Sequence, residues 1–326
     1  MRTRLTELLG VEHPIIQGGL AHIATGAFAA AVAEAGAFAQ ITATSLPTPD
    51  DLAREVEAFR ARSAKPFGIN VAMGHRPVDA FLEAAIAARP TAISLTGGNP
   101  APYIPRIKAA GILVLVLVAS LRQAEKAEAL GADAVIAVGQ EGGGHIGRDD
   151  VGTLVLVRRV AQALRVPVVA SGGVADGAGL LAALALGAAG VELGTRFLAT
   201  VECPVHPRYK AALLEAGETE TVVVGRSTGA PGRVLPGPWV DVIRRHEQEG
   251  GEAPLWTLMT AEHNRRGALA GDFERGFVWA GQGVGLIRDV PSVRDLVTRM
   301  VREAEAGWHD LAPVFGRAGS PEAAAR

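Results

Sequence analysis

Eight short apolar runs, separated by stretches of helical periodicity, constrain this chain more than anything else in it. They fall at 14–16, 37–42, 66–71, 92–95, 112–118, 134–138, 166–170 and 190–193. Runs of this length, apolar without alternation, suit strands buried on both faces of a parallel sheet. Amphipathic or alanine-rich patterns follow at 26–35, 49–62, 79–88, 121–130, 153–164 and 178–186, so the repeating unit is βα. Eight such units predict an α/β fold, a closed (β/α)8 barrel. A doubly wound open sheet is the second choice, since it uses fewer strands and carries its glycine turn at the first unit.

The rhythm stops after the eighth run. Residues 203–275 hold Pro204, Pro207, Pro231, Pro236 and Pro238, many charges, and helical patterns near 240–249 and 256–266. They are predicted to form a mostly helical insertion or cap after strand eight, a substrate domain on a barrel made of 1–202 and 276–326. A final amphipathic helix at 292–306 closes the barrel, and the alanine-rich tail beyond Pro313 is expected to fray. The 326 residues leave room for this, because one barrel takes about 250.

Charge and composition narrow the partners. A net charge of -2 gives no basic footprint for nucleic acid. The lone Cys203 cannot form an internal disulfide, which suits a reducing compartment. The amino terminus shows no signal-peptide pattern, and the most apolar windows, 111–119 and 180–190, are too short or too glycine-broken to span a bilayer. The expectation is a cytoplasmic protein with a small-molecule substrate, no nucleic-acid or membrane partner, and a surface compatible with a homodimer.

In such a barrel the chemistry sits at the carboxyl ends of the strands. Strand six runs into Gly139-Gln140-Glu141-Gly142-Gly143-Gly144-His145-Ile146-Gly147. Three glycines bare the backbone for close ligand approach. His145, ending that segment, carries the side chain best suited to proton transfer near neutrality, and is the catalytic candidate. Ser171-Gly172-Gly173 and Gly194-Thr195 close strands seven and eight, where barrels commonly hold a phosphate. They read as the cradle of a mononucleotide cofactor; the plainer alternative is relief of crowding at tight turns. Gln17-Gly18-Gly19 after strand one could wrap a planar ring or be a simple loop. Asn70 could meet a heteroaromatic edge or cap its own turn.

Of the other histidines, His13 reads as structural. His22 and His75 lie on loops at the functional end and could contact substrate, whereas His206, His246, His263 and His309 read as surface or cap residues. Cys203-Pro204-Val205-His206 lacks the companions a zinc site needs. Gly281-Gln282-Gly283 imitates part of a dinucleotide fingerprint, but no βαβ unit can follow it. It reads as a close-packed loop in which Gln282 offers a polar contact.

Taken as a set and in order, Gln17-Gly18-Gly19, Pro66-Phe67-Gly68-Ile69-Asn70, Glu141 to Gly147, Ser171 to Gly177, Gly194-Thr195-Arg196-Phe197 and Ala280-Gly281-Gln282 resemble the nitronate monooxygenase (2-nitropropane dioxygenase) family. The resemblance implies a TIM-barrel flavoprotein that binds FMN. Gln17, Gly18, Gly19 and Asn70 would lie against the flavin ring and ribityl chain. Gly143, Gly144, Ser171, Gly172, Gly173, Gly194, Thr195 and Gln282 would complete the FMN site, and His145 matches the active-site histidine. The leading activity so implied is oxidation of alkyl nitronates with O2. The alternatives are an enoyl-acyl-carrier-protein reductase or quinone reductase on the same scaffold, with NADH or NADPH as electron donor. A phosphometabolite-binding barrel without flavin stands further off. The Glu141–Gly147 segment is similar to the enoyl reductase version, although Gly142 replaces the usual alanine. Some quinone reductase members carry a lysine on strand five, where Leu117 stands here.

Overall fold

The computed structural model describes residues 1–74, 77–250 and 254–314; His75 and the tail from 315 onward lie outside these. Eight parallel strands run in chain order around a barrel: Ile15–Gln17, Ala39–Thr42, Phe67–Ala72, Ala92–Thr96, Leu113–Val118, Ala134–Val138, Val168–Ser171 and Gly190–Leu193. The eighth pairs with the first, and a parallel bridge between Ile16 and Phe38 closes the circle. The predicted (β/α)8 barrel is therefore the fold, with strand ends shifted by a residue or two.

A period of two is hidden inside the continuous apolar runs. Ile16, Phe38, Leu115, Ile136 and Val169 point into the barrel and pack together. Their neighbours Ile15, Ile41, Val114, Val135 and Val168 face the surrounding helices in a separate, larger cluster. Each such side chain removed from water contributes roughly 1.5–3 kcal/mol. The helices start where short polar caps allow: Thr48 and Asp51 form a capping box ahead of Pro49–Arg60, and Asp176 accepts from the Gly179 N–H ahead of Gly177–Ala185.

Two elements were not read from the sequence. A helix at Arg4–Leu9, opened by a capping box between Thr3 and Thr6, drives Leu5 and Leu9 into the amino-terminal end of the barrel. Gly190 makes room for it, since a Cβ there would stand 2.5 Å from Leu5 Cδ2. The second element is a three-stranded antiparallel sheet in which Gly232–Val234 lies between Val222–Val224 and Gly144–His145.

The region after strand eight has the expected helical content, with helices Pro207–Glu215, Pro238–Glu249 and Ala261–Arg265, the last running on as a π turn to Ala270. Val224, Val234, Val240, Ile243, Leu255 and Phe277 form a core of their own there. The last helix, Val293–Leu311, extends beyond the expected end and packs on Gly177–Ala185. Among the described residues no helix is long and apolar enough to cross a membrane.

Candidate functional site

Main chain, more than side chains, shapes the carboxyl end of the barrel. Gly144, Gly172 and Gly173 all have positive φ (79°, 95° and 77°), a conformation that costs glycine little and other residues more. A Cβ on Gly172 would stand 2.9 Å from the Gly142 nitrogen, and one on Gly143 2.5 Å from the Gly281 nitrogen. These loops thus touch backbone to backbone. Gly281 donates to Thr195 Oγ1 at 2.9 Å and Gln282 donates to the Glu141 carbonyl at 2.9 Å. The segment read as an imitation fingerprint is a clasp joining the ends of strands six and eight.

Glu141 anchors the six-strand loop by a different means. Its carboxylate accepts from the Thr153 N–H at 2.8 Å and from Thr153 Oγ1 at 2.8 Å, so it caps the helix Thr153–Ala163. The buried Arg233 reaches from the strand Gly232–Val234 to donate to the Gln140 carbonyl at 3.1 Å. His145 is placed between these anchors: its main chain pairs with Gly232, and its ring stands 5.1 Å from that of Trp279.

These loops enclose a cavity of about 830 Å³ at the barrel mouth. Gly18, Gly19, Asn70, Gly143, Gly144, His145, Ser171, Gly172, Gly173, Gly194 and Thr195 all line it, so eleven of the residues selected from sequence converge on one space. Gln17 and Gln282 do not line it. The Gln17 side chain is fully buried, donating to the Gly18 carbonyl and accepting from the Gln40 N–H. Asn70 does not cap its own turn; its Nδ2 donates to Ser94 Oγ at 2.9 Å, and a Cβ on Gly19 would overlap its Oδ1. Leu117 also lines the cavity, so strand five presents no charge at that position.

Sequence reasoning missed several lining residues. Glu192 lies within an apolar run, yet it points into the barrel and is 6% exposed. Burial pushes its carboxyl up to about 7, against hydrogen bonds from Ser171 Oγ, at 3.0 Å, and Gln40 that pull it down. A carboxylate inside an otherwise apolar strand was the available signal. Trp256, Met259, Asn264, Phe277 and Trp279 come from the stretch after strand eight, and no local pattern marks them as lining a cavity. His22 lines the cavity as well. Away from it, His206 accepts from the Arg208 N–H at the start of a helix, His263 stacks on Trp239, and burial pushes the Cys203 thiol up to about 12.

A family model for nitronate monooxygenase matches residues 2–87 and 73–303. The chain belongs to the nitronate monooxygenase family. Its relatives include a (3aS,4S,5R,7aS)-5-hydroxy-7a-methyl-1-oxo-octahydro-1H-indene-4-carboxyl-CoA dehydrogenase of Mycobacterium tuberculosis, 33% identical over 93% of this chain and 96% of that one. The nitronate monooxygenase of Pseudomonas aeruginosa is 33% identical over 93% and 99%. Among solved structures, FabK from Thermotoga maritima superposes with a TM-score of 0.90 at 40% identity, covering 96% of this chain and 99% of that one. The family and these relatives are oxidoreductases.

Proposed function

We propose that this family member is an FMN-dependent oxidoreductase that acts on an apolar acyl thioester with a pyridine nucleotide as electron partner. The observation that carries the thioester reading is the cavity. Beyond the glycine loops that would hold the cofactor, its 830 Å³ reach a wall of Trp256, Met259, Phe277 and Trp279, an apolar lining suited to an acyl chain. The relative whose name specifies a carboxyl-CoA substrate supports the same class.

The residues present fit the cofactor. Bare backbone at Gly143, Gly144, Gly172, Gly173, Gly194 and Thr195 suits a ribityl phosphate, and Gly18-Gly19 leaves a flat surface for a ring. When bound, FMN supplies two-electron redox chemistry that no side chain here can provide. The chain's own task is placement. His145, fixed by its pairing with Gly232, donates a hydrogen bond to a substrate oxygen or delivers the proton to carbon. Trp256, Phe277 and Trp279 exclude water from the apolar chain, and residues 203–275 serve as the substrate cap.

Oxidation of alkyl nitronates with O2 is the second reading, favoured by the family model and by the nitronate monooxygenase relatives. Two assays separate the readings: anaerobic NADH oxidation with an enoyl thioester, and O2 uptake with an alkyl nitronate in the absence of NADH. Fast turnover in the first is expected. Turnover only in the second would replace the thioester reading with the nitronate one.

A further inference from the structure

Strands seven and eight place two polar side chains next to each other at the cavity. Ser171 and Glu192 are register neighbours in the parallel pair, and Ser171 Oγ stands 3.0 Å from Glu192 Oε2. Both line the cavity, with 8% and 6% of their surface exposed. Gly18 closes over the carboxyl from strand one, where a Cβ would stand 3.1 Å from Glu192 Cδ. The carboxyl therefore lies where the ends of the first, seventh and eighth strands meet.

A buried carboxyl with no cation beside it favours the neutral acid. Burial is the largest effect on Glu192, opposed by hydrogen bonds from Ser171 and Gln40, and no ion pair forms among the described residues. The other ionisable groups on the cavity wall are His22, Glu141, His145, Arg196 and Tyr209. Glu141 accepts from Thr153, Arg196 pairs with Asp289, and Tyr209 donates to the Trp279 carbonyl. His22 and His145 belong to the loops after strands one and six.

The Ser171 hydroxyl has a single hydrogen, and Glu192 is the side chain it meets. Against an ionised carboxylate the hydroxyl must donate, which leaves only its lone pairs for anything in the cavity. Against the neutral acid it accepts, and its own hydrogen is free to turn toward a ligand oxygen. The same 3.0 Å contact serves both states, with the hydrogen on opposite sides.

We infer that Glu192 is a positioning residue for the cofactor: its proton turns the Ser171 hydroxyl into a donor toward a flavin oxygen, and loss of that proton turns the hydroxyl back. The inference rests on the proposed FMN site and adds a pH dependence to it. The donor is present while the carboxyl is neutral, below about pH 7, and is withdrawn as pH rises through that value. Cofactor affinity should fall in the same direction. The accepting oxygen belongs to the phosphate, or to the ribityl chain or ring.

The test is a titration of the full, flavin-stripped chain with FMN and with riboflavin, which lacks the phosphate, followed by flavin fluorescence from about pH 5.5 to about pH 8.5. The native chain is expected to lose roughly tenfold in affinity over that window relative to Glu192→Gln, which has no proton to titrate. The ratio of the two proteins removes the titration of the phosphate, His22 and His145, which both share. Ser171→Ala should bind roughly tenfold more weakly than the native chain at about pH 5.5 and within about twofold of it at about pH 8.5, a pattern that a uniform structural loss does not produce. A pH-dependent ratio for both ligands places the accepting oxygen on the ribityl chain or ring, and for FMN alone on the phosphate. A constant ratio for both ligands overturns the inference and leaves the flavin site standing, as does Ser171→Ala binding as tightly as the native chain at the acid end. Should Glu192→Gln fail to fold, the Ser171→Ala comparison decides. A native chain that takes up neither flavin at any pH in the window rejects the proposed function, and this inference with it.

Discussion

At the amino-terminal end of the barrel, Leu5 and Leu9 enter from a capped helix and fill the circle of strands with apolar side chains, both about 0–1% exposed. At the carboxyl end the same circle is left open, and the ring of loops above it is made from glycine backbone around a cavity. One end is closed by side-chain volume, the other by main chain that leaves space. The contrast separates residues that hold the barrel together from residues that give it something to do. Gly68 and Gly190 show the same residue type serving the closed end, where each admits a neighbouring Phe38 or Leu5 side chain instead of a ligand.

The contrast can be broken by substitution. His145→Ala is expected to lower kcat/KM by about 10² to 10⁴ while the protein keeps its flavin, read by steady-state kinetics and absorbance together. Unchanged turnover would remove His145 from the chemistry. Leu5→Ala at the closed end should instead cost about 2–5 kcal/mol of stability in denaturant unfolding, with activity per folded molecule preserved. A comparable loss of kcat/KM per folded molecule would show that the two ends are not independent.

Glu192 sharpens the boundary, because it is a carboxyl buried where the filled barrel meets the open mouth. Its folded value near 7 exceeds its ordinary 4.5, so the folded state holds the proton more tightly. The associated stability is complete below about pH 4.5 and falls away as pH rises through 7, by about 3 kcal/mol in all. Glu192→Gln keeps the shape and lacks that proton. The stability difference between the two proteins should therefore change by this amount across the window, and a constant difference would mean the carboxyl is not protonated in the fold. The smallest effect belongs to Gly142→Ala. A Cβ there would stand 2.8 Å from Val138 Cγ2, a side chain able to yield, so thermal unfolding should register a loss of about 1 kcal/mol.

What could be read from the sequence follows the same division. Strands six and eight were read to the residue, and the glycine loops were found, because both signals are local: an apolar run, and consecutive residues without side chains. Glu192 escaped notice because alternation along a strand is invisible when both faces are apolar everywhere else in the run. The helix at Arg4–Leu9 is too short to show periodicity. The sheet joining Gly144–His145 to Gly232–Val234 depends on residues nearly ninety positions apart, with a run of only three valines in its outer strand.

The most direct test of the glycine-bounded mouth as a flavin site is titration of the purified, flavin-stripped protein with FMN, beside Gly172→Val. The native chain should take up one FMN and show the flavin bands. The variant, whose side chain would meet the Gly142 backbone at a φ of 95°, should bind at least about a hundredfold more weakly while remaining folded. A native chain that stays colourless at saturating FMN, or a folded variant that binds FMN as tightly as the native chain, would contradict the account.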